Sequence, residues 1–248
     1  YVTAARAADV GTLPAVLAFT YMASGTDGST TNTEWTNAFS TLQAEDVQWV
    51  VPVSSDPAIH AMAVAHAAYM TNTARRERHA MLGAPAATSD AAAIVLAKAI
   101  GSDRAGLVHL GGYDYNEIGA LTLYPPYIVA AMVAAMFCGS TPGTALTSKS
   151  LRLVGLERKL RNPADTDPLL RGGVMPLEDT PTGYRVVRSI STWLTDSKFN
   201  RVELSCSVAM DYTARWIGEA SGGHVELFRD FGALTLDEAS GQLLLDAN

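Results

Sequence analysis

The chain reads as mixed α/β: a mixed sheet flanked by helices, with a β-hairpin and a long helix in its C-terminal half. Three observations predict this. Short β-branched runs alternate with helical stretches through residue 140, the order from which helix-covered sheets are assembled. The helical stretches carry their own start and stop signals. Then Thr180-Pro181-Thr182-Gly183 separates Val174–Asp179 from Tyr184–Ser191, which is hairpin chemistry. No internal repeat or low-complexity linker interrupts the pattern. Residues 1–220 are expected to form the core domain and 221–248, after the Ser221-Gly222-Gly223 break, the start of a C-terminal lobe.

Leu13–Met22 is an apolar run, expected as a strand. The loop Gly25–Thr31 leads to a helix capped by Thr33. There Trp35, Ala38, Phe39 and Leu42 stand at i, i+3, i+4 and i+7 and share one apolar face, and Glu34 sits in the first turn, where a negative charge suits the dipole. Val47–Val51 is a buried strand stopped by Pro52. Asp56 caps a helix with Pro57 in its first turn, running to about Met70 and ending near Asn72. Arg78–Gly83 is the next strand. Ser89-Asp90 starts the helix Ala91–Ile100, and Gly101 supplies its left-handed stop.

Gly106–Gly112 is a short buried strand, and Tyr113–Leu123 is expected as a loop. Tyr127–Phe137, entered through Pro125-Pro126, is the most apolar helix. Its alanines allow close approach to a neighbour, so a central position is expected. Leu151–Val154 is strand-like, and Pro163–Leu170 is a short helix ended by Gly172-Gly173. Phe199–Glu219 is an amphipathic helix with Val202, Cys206, Ala209, Met210 and Thr213 along one side. Thr235–Glu238 is a capping box opening a last helix, Leu236–Ala247.

The formal charge of −7, with no basic cluster, makes a phosphate-binding nucleic-acid surface a poor expectation. The basic run Arg75-Arg76-Glu77-Arg78 is expected as a solvated helix end. Low charged content leaves Thr, Ser, Asn and Gly to clothe the surface, or part of that surface is covered by other subunits. Cys138 and Cys206, without CxxC spacing, read as small core residues. The longest apolar run, Tyr127–Cys138, is too short for membrane insertion.

No constellation of catalytic, cofactor-binding or metal residues emerges. Gly111-Gly112 lacks the GxGxxG pattern with a helix directly behind it, and Gly139–Gly143 lacks the Gly-Lys-Ser/Thr ending of a phosphate loop. Ser140 follows a helix, so it is no hydrolase elbow. His60 and His66 lie on different helix faces. His79 and His109 fall in strands as core or edge residues, and His224 has no partner in sequence. Asp165 and Asp167 lack the glycine and distal glutamate of a calcium loop and are explained by helix capping.

The order of short motifs does carry a resemblance. Gly25-Thr26-Asp27-Gly28 is followed by the Trp35–Leu42 helix and Val50-Val51-Pro52. Then come the arginine-rich approach to a strand at Arg75–Gly83, and Pro125-Pro126 before Ala130–Ala135. Gly155-Leu156-Glu157, Leu169–Val174, Arg185–Thr192 (with Ser191 in place of a threonine) and Asp211-Tyr212 complete the set. Spread over residues 22–217 in this order, they resemble contractile phage tail sheath proteins of the Mu-like, myovirus kind.

The resemblance implies a structural virion subunit, not an enzyme. It would polymerise helically around a tail tube and contract to drive the tube through the host envelope, after assembly in the host cytoplasm. Implied partners are further sheath subunits, the tail tube protein, and baseplate and terminator proteins, with no direct nucleic-acid contact, cofactor or metal. In this family terminal arms join neighbouring subunits. The chain opens on Tyr1 and ends soon after a helix, so the expectation is that those arms lie outside it. The rival expectation is an α/β enzyme or small-molecule-binding domain whose site is assembled from residues distant in sequence.

Overall fold

The computed structural model describes residues 30–160, 162–194 and 202–220, with the side chains of the last four left out. The chain divides into two compact units, Tyr1–Thr31 and Asn32–Asn248, and the elements below belong to the second. The expected strand at Leu13–Met22, the capping box at Thr235–Glu238, the last helix, His224 and the segment 221–248 all lie outside the described residues.

Helix α1 (Asn32–Leu42) leads to strand β1 (Trp49–Val50), α2 (Pro57–Asn72) to β2 (His79–Gly83), and α3 (Asp90–Ile100) to β3 (Ala105–Val108). The three strands pair in parallel in the order β1-β2-β3, with Trp49 opposite His79 and Gly83 opposite Val108. β2 and β3 are buried along their whole length, as parallel strands covered on both faces must be. Period-two alternation then sorts their side chains. Ala80, Leu82, Ala105 and Leu107 join the core under α1, α2 and α3, whereas Met81 and Val108 join a second core on the other face.

The caps behave as the residue types dictate. The Asp56 carboxylate accepts from the Ala58 N–H at 2.8 Å and Pro57 occupies the first turn of α2. The Ser89 hydroxyl accepts from Ala92, and Gly101, at φ +50°, ends α3 in the left-handed region. α1 starts one residue earlier than the expected cap, so Thr33 lies inside its first turn.

The segment after β3, expected as a loop, is a hairpin of β4 (Gly112–Tyr115) and β5 (Leu121–Tyr124). Its turn is organised by Asn116, whose side-chain oxygen accepts from Ile118 and Ala120 N–H while Gly119 takes φ +76°. Helix α4 (Pro126–Cys138) lies across the parallel sheet, central as expected, burying Val129, Ala130, Val133, Ala134 and Phe137.

The expected strand at Leu151–Val154 is two short ones, β6 (Ser150–Leu151) and β7 (Gly155–Leu156), which serve different sheets. β7 extends the hairpin to a three-stranded antiparallel sheet, β5-β4-β7. After α5 (Pro163–Arg171), β8 (Leu177–Thr180) and β9 (Gly183–Val186) form the expected hairpin and take β6 into a second antiparallel sheet, β6-β9-β8. The parallel and antiparallel pairing is thus divided among three small sheets. The outer edge of β3 is not left open: Met175 N–H donates to Leu107 O at 2.9 Å and Thr192 N–H to Ala105 O at 2.8 Å.

Helix α6 (Leu204–Ala220) is the expected long helix, but its inward face is rotated. Leu204 and Ser205 are buried, whereas Cys206 and Met210 are exposed. The inward line runs Leu204, Val208, Asp211, because Asp211 is ion-paired beneath the helix and counts as an inward residue. Cys138 is also exposed, on the outer side of α4's last turn. The expectation of two core cysteines is corrected: at both positions the helix phase turns the thiol outward.

Candidate functional site: the two ends of the parallel sheet

In an open parallel sheet a ligand site forms beyond the C-terminal ends of the strands, where the strand order reverses. Here β1-β2-β3 runs without reversal, and the protein fills that end with its own side chains. Glu157 accepts from Ala87 N–H at 3.0 Å through Oε1 and from Gly111 N–H at 2.9 Å through Oε2. Those are the backbone donors an anion would use. Asp90, in the first turn of α3, meets the ring of His109 at 3.0 Å and is ion-paired with Arg158. Two carboxylates therefore stand where a phosphate would have to come, and the cluster is closed by its own pairs.

At the N-terminal end Arg104 joins Asp211 of α6 and approaches His79 of β2 at 3.5 Å. Trp49 stacks between His79 and Phe137, with centroids 5.0 and 4.6 Å away. Arg215 holds Asp46 in a two-pronged pair at 3.2 and 2.6 Å, and that hydrogen bond keeps the Asp46 carboxyl below its ordinary pKa. This second pair is solvated, so it positions α6 more than it stabilises it.

The run Arg75–Arg78 is not a uniform solvated helix end. Arg78 is fully buried. Its Nη1 donates to Leu42 O at 2.9 Å and to His66 Nε2 at 2.7 Å, and its Nη2 to Glu45 O. The last carbonyl of α1, Leu42 O, and the Glu45 carbonyl just beyond the helix thus share a guanidinium from the strand approach. Burial pushes its pKa down, as does neighbouring Arg76, but a guanidinium keeps its proton throughout.

The structure places the other candidates apart. His60 and His66 are buried in α2, and His79 and His109 stand at opposite ends of the sheet, each against its own ion pair. Asp165 is in the first turn of α5, and Asp167 pairs with Arg171 on the same helix at 2.7 Å. Ser140 accepts from the Lys149 ammonium at 2.9 Å. Among the described residues no group of three or more His, Cys, Asp or Glu is placed to hold a metal ion, and no helix is long and apolar enough to cross a membrane.

The four buried histidines give this architecture an acid limit. Burial pushes all four rings below the ordinary pKa; for His79 it acts together with the Arg104 charge and takes the value from 6.5 to about 3. The unfolded chain therefore binds protons below pH 6.5 that the folded chain refuses, and stability must fall as pH falls through that window. For His79 the expected loss is about 1.4 kcal/mol per pH unit between pH 6 and pH 4. Urea midpoints measured across that range check it; a flat profile would contradict the neutral, buried assignment.

Sequence reading missed one surface. In the β4–β5 hairpin Tyr113 faces Leu123 and Tyr115 faces Leu121, so all four side chains lie on one side of the sheet. Tyr115 is 59% exposed and Ile118, at the turn, 84%. The signal was present as the alternation Tyr-Asp-Tyr and Leu-Thr-Leu about an Asn-to-Gly turn.

Comparison with known proteins bears on this closed, site-poor architecture. A family model described as the phage tail sheath protein central domain matches residues 28–192. The chain is 29% identical over 197 residues to the tail sheath protein of Bacillus phage SP01, covering 79% of this chain and 34% of that one. It thus spans about a third of the length of that relative. Among solved structures, the sheath tail protein of Desulfitobacterium hafniense superposes with a TM-score of 0.63 at 16% identity, over 86% of this chain and 47% of that chain. The contracted helical sheath of the anti-feeding prophage gives a TM-score of 0.55 at 12% identity, over 87% and 64%. At these identities the superpositions speak to fold.

Proposed function

The chain belongs to the phage tail sheath protein family, and from that premise we propose that it forms the rigid core of a contractile sheath subunit. Many copies stack helically around a tail tube and change their packing to drive the tube through the host envelope. The observation that carries this reading is the family match over residues 28–192, on a fold shared with a contracted sheath. The closed carboxylate–histidine–guanidinium clusters support a non-enzymatic role, since the donors at the sheet's C-terminal end are already taken.

In this reading the work of contraction is a difference in packing between two arrangements of subunits, and no nucleotide or cofactor is needed. A subunit suited to it moves as one body. Two apolar cores on either side of the parallel sheet, whose strands β2 and β3 are fully buried, provide that stiffness. The partners are other sheath subunits, the tail tube protein, and the baseplate and terminator at the two ends, in a particle assembled in the host cytoplasm.

Negative-stain electron microscopy of the complete gene product tests the proposal. Striated tubes of uniform width are expected, alone or with tail tube protein. A protein that stays monomeric at high concentration in both conditions would overturn it, and a small-molecule-binding domain would then be the reading to test by ligand screening.

A further inference from the structure

Helix α1 is held more lightly than the elements that follow it. Of its 11 residues, all described, Phe39 alone is buried, with Trp35 and Leu42 partly covered against the same core. Thr36 adds a weak contact to the Met62 sulfur at 3.9 Å. Its C-terminal end is seated by arginines: Arg78 takes Leu42 O and Glu45 O, and Arg76 takes Gln43 O at 3.2 Å.

The Arg78 guanidinium is in turn held by a histidine. Its Nη1 donates to His66 Nε2 at 2.7 Å, and the Phe39 and His66 ring centroids are 5.4 Å apart. A guanidinium has no acceptor, so the imidazole must offer a lone pair at Nε2 and carry its proton on Nδ1. His66 is therefore neutral while α1 is docked. Its Nδ1 and the Arg78 Nε are both buried without a hydrogen-bond partner among the described residues. Protonation would put a hydrogen on Nε2, directly against the guanidinium, and no new acceptor would compensate. The neighbouring charges do not relieve this. Arg76 and Asp46 act on the guanidinium, and Asp46, on the segment after α1, is already tied to Arg215 of α6.

We infer that the His66–Arg78 contact is a proton-sensitive latch on α1: protonation of His66 breaks it and undocks α1 from α2 while the parallel sheet stays folded. α1 follows the Tyr1–Thr31 unit in sequence, so the latch sets where along the chain the folded core begins. The inference stands apart from the sheath reading. Burial and the Arg78 charge hold His66 below its ordinary pKa of 6.5, and the undocked ring recovers that value. Docking is thus at full strength above pH 6.5 and weakens as pH falls below it. α1 responds before the sheet, because β2 and β3 are buried along their whole length and open only with the fold.

Hydrogen exchange of the complete gene product, kept below any concentration at which it assembles, tests this between pH 7 and pH 5.5. Rates are divided by the intrinsic rate at each pH. Opening at the Thr36–Leu42 amides is expected to rise by up to about eightfold, the effect of one proton refused by the docked state. The β2 and β3 amides are expected to remain far better protected than α1 throughout. In H66Q, whose side-chain oxygen keeps an acceptor for Arg78 but cannot titrate, the α1 profile is expected to be flat. In H66F, which keeps a ring against Phe39 without acceptor or charge, α1 is expected to be open at pH 7 and equally flat. H60Q, altered on the same helix, is expected to keep the rise. A flat wild-type profile overturns the latch, and so does a rise that persists in either folded His66 variant. Equal protection of α1 and the sheet also overturns it, because α1 then has no opening of its own.

Discussion

Replacing Arg78 by alanine is expected to lower the stability of the fold by about 3–5 kcal/mol. The side chain is fully buried and its guanidinium is shared among Leu42 O, Glu45 O and the His66 ring. Removing it takes the charged donor from the Leu42 and Glu45 carbonyls and from the His66 ring, and opens a cavity between α1, α2 and β2. Hydrogen bonds from a charged donor are each worth more than neutral ones, and the orphaned acceptors carry their own desolvation cost. Arg78→Lys is expected to recover little, because one ammonium cannot reproduce a planar fork. Chemical denaturation of the three proteins gives the comparison; a lysine variant as stable as the parent would show that charge alone matters there. Hydrogen exchange should localise the first loss of protection to α1.

Gly83→Ala is expected to be comparably damaging, by about 3 kcal/mol, through crowding instead of loss. A Cβ at this position would lie 2.2 Å from Tyr127 N and 2.3 Å from Tyr127 Cα. Backbone cannot swing aside as a side chain does, so all of α4 would have to lift from the sheet. That would separate Val129, Ala130 and Val133 from Met81 and Val108. Gly119→Ala is the informative contrast. It has nothing within 4 Å but sits at φ +76°, so only the left-handed backbone is strained, at about 1 kcal/mol. Thermal or urea unfolding of both, with near-ultraviolet dichroism reporting the Trp49–Phe137 stack, decides it. Equal small effects would mean that α4 is less tightly seated than its contacts indicate.

The features legible in the sequence are those whose signals are local. Asp56-Pro57, Ser89 and Gly101 mark helix ends through bonds made within a few residues, and the helices start and stop there. The hairpin at Thr180–Gly183 and the alanine-rich α4 were legible for the same reason, and the ordered motifs over residues 22–217 pointed to the sheath family before any geometry was known. The Tyr113–Leu123 hairpin was missed because its period-two signal is brief and its turn rests on an Asn116 side chain.

The remainder is long-range. Asp211 faces inward only because Arg104, 107 residues away in sequence, meets it, and that rotation of α6 turns Cys206 and Met210 outward and presents Tyr212 and Trp216. Arg78 is buried because α1 ends above it, and Glu157 is consumed because two loops converge on it. Hydrophobic pattern counts a charged residue as surface, since desolvating a charge is costly; a partner supplied by the fold reverses that sign. By itself, then, the sequence determined most of the described helices, the fold class and the family, all of which rest on short-range chemistry and ordered motifs. Only the tertiary structure decided which charges lie inside and which patches remain outside, because those depend on partners brought together from distant parts of the chain.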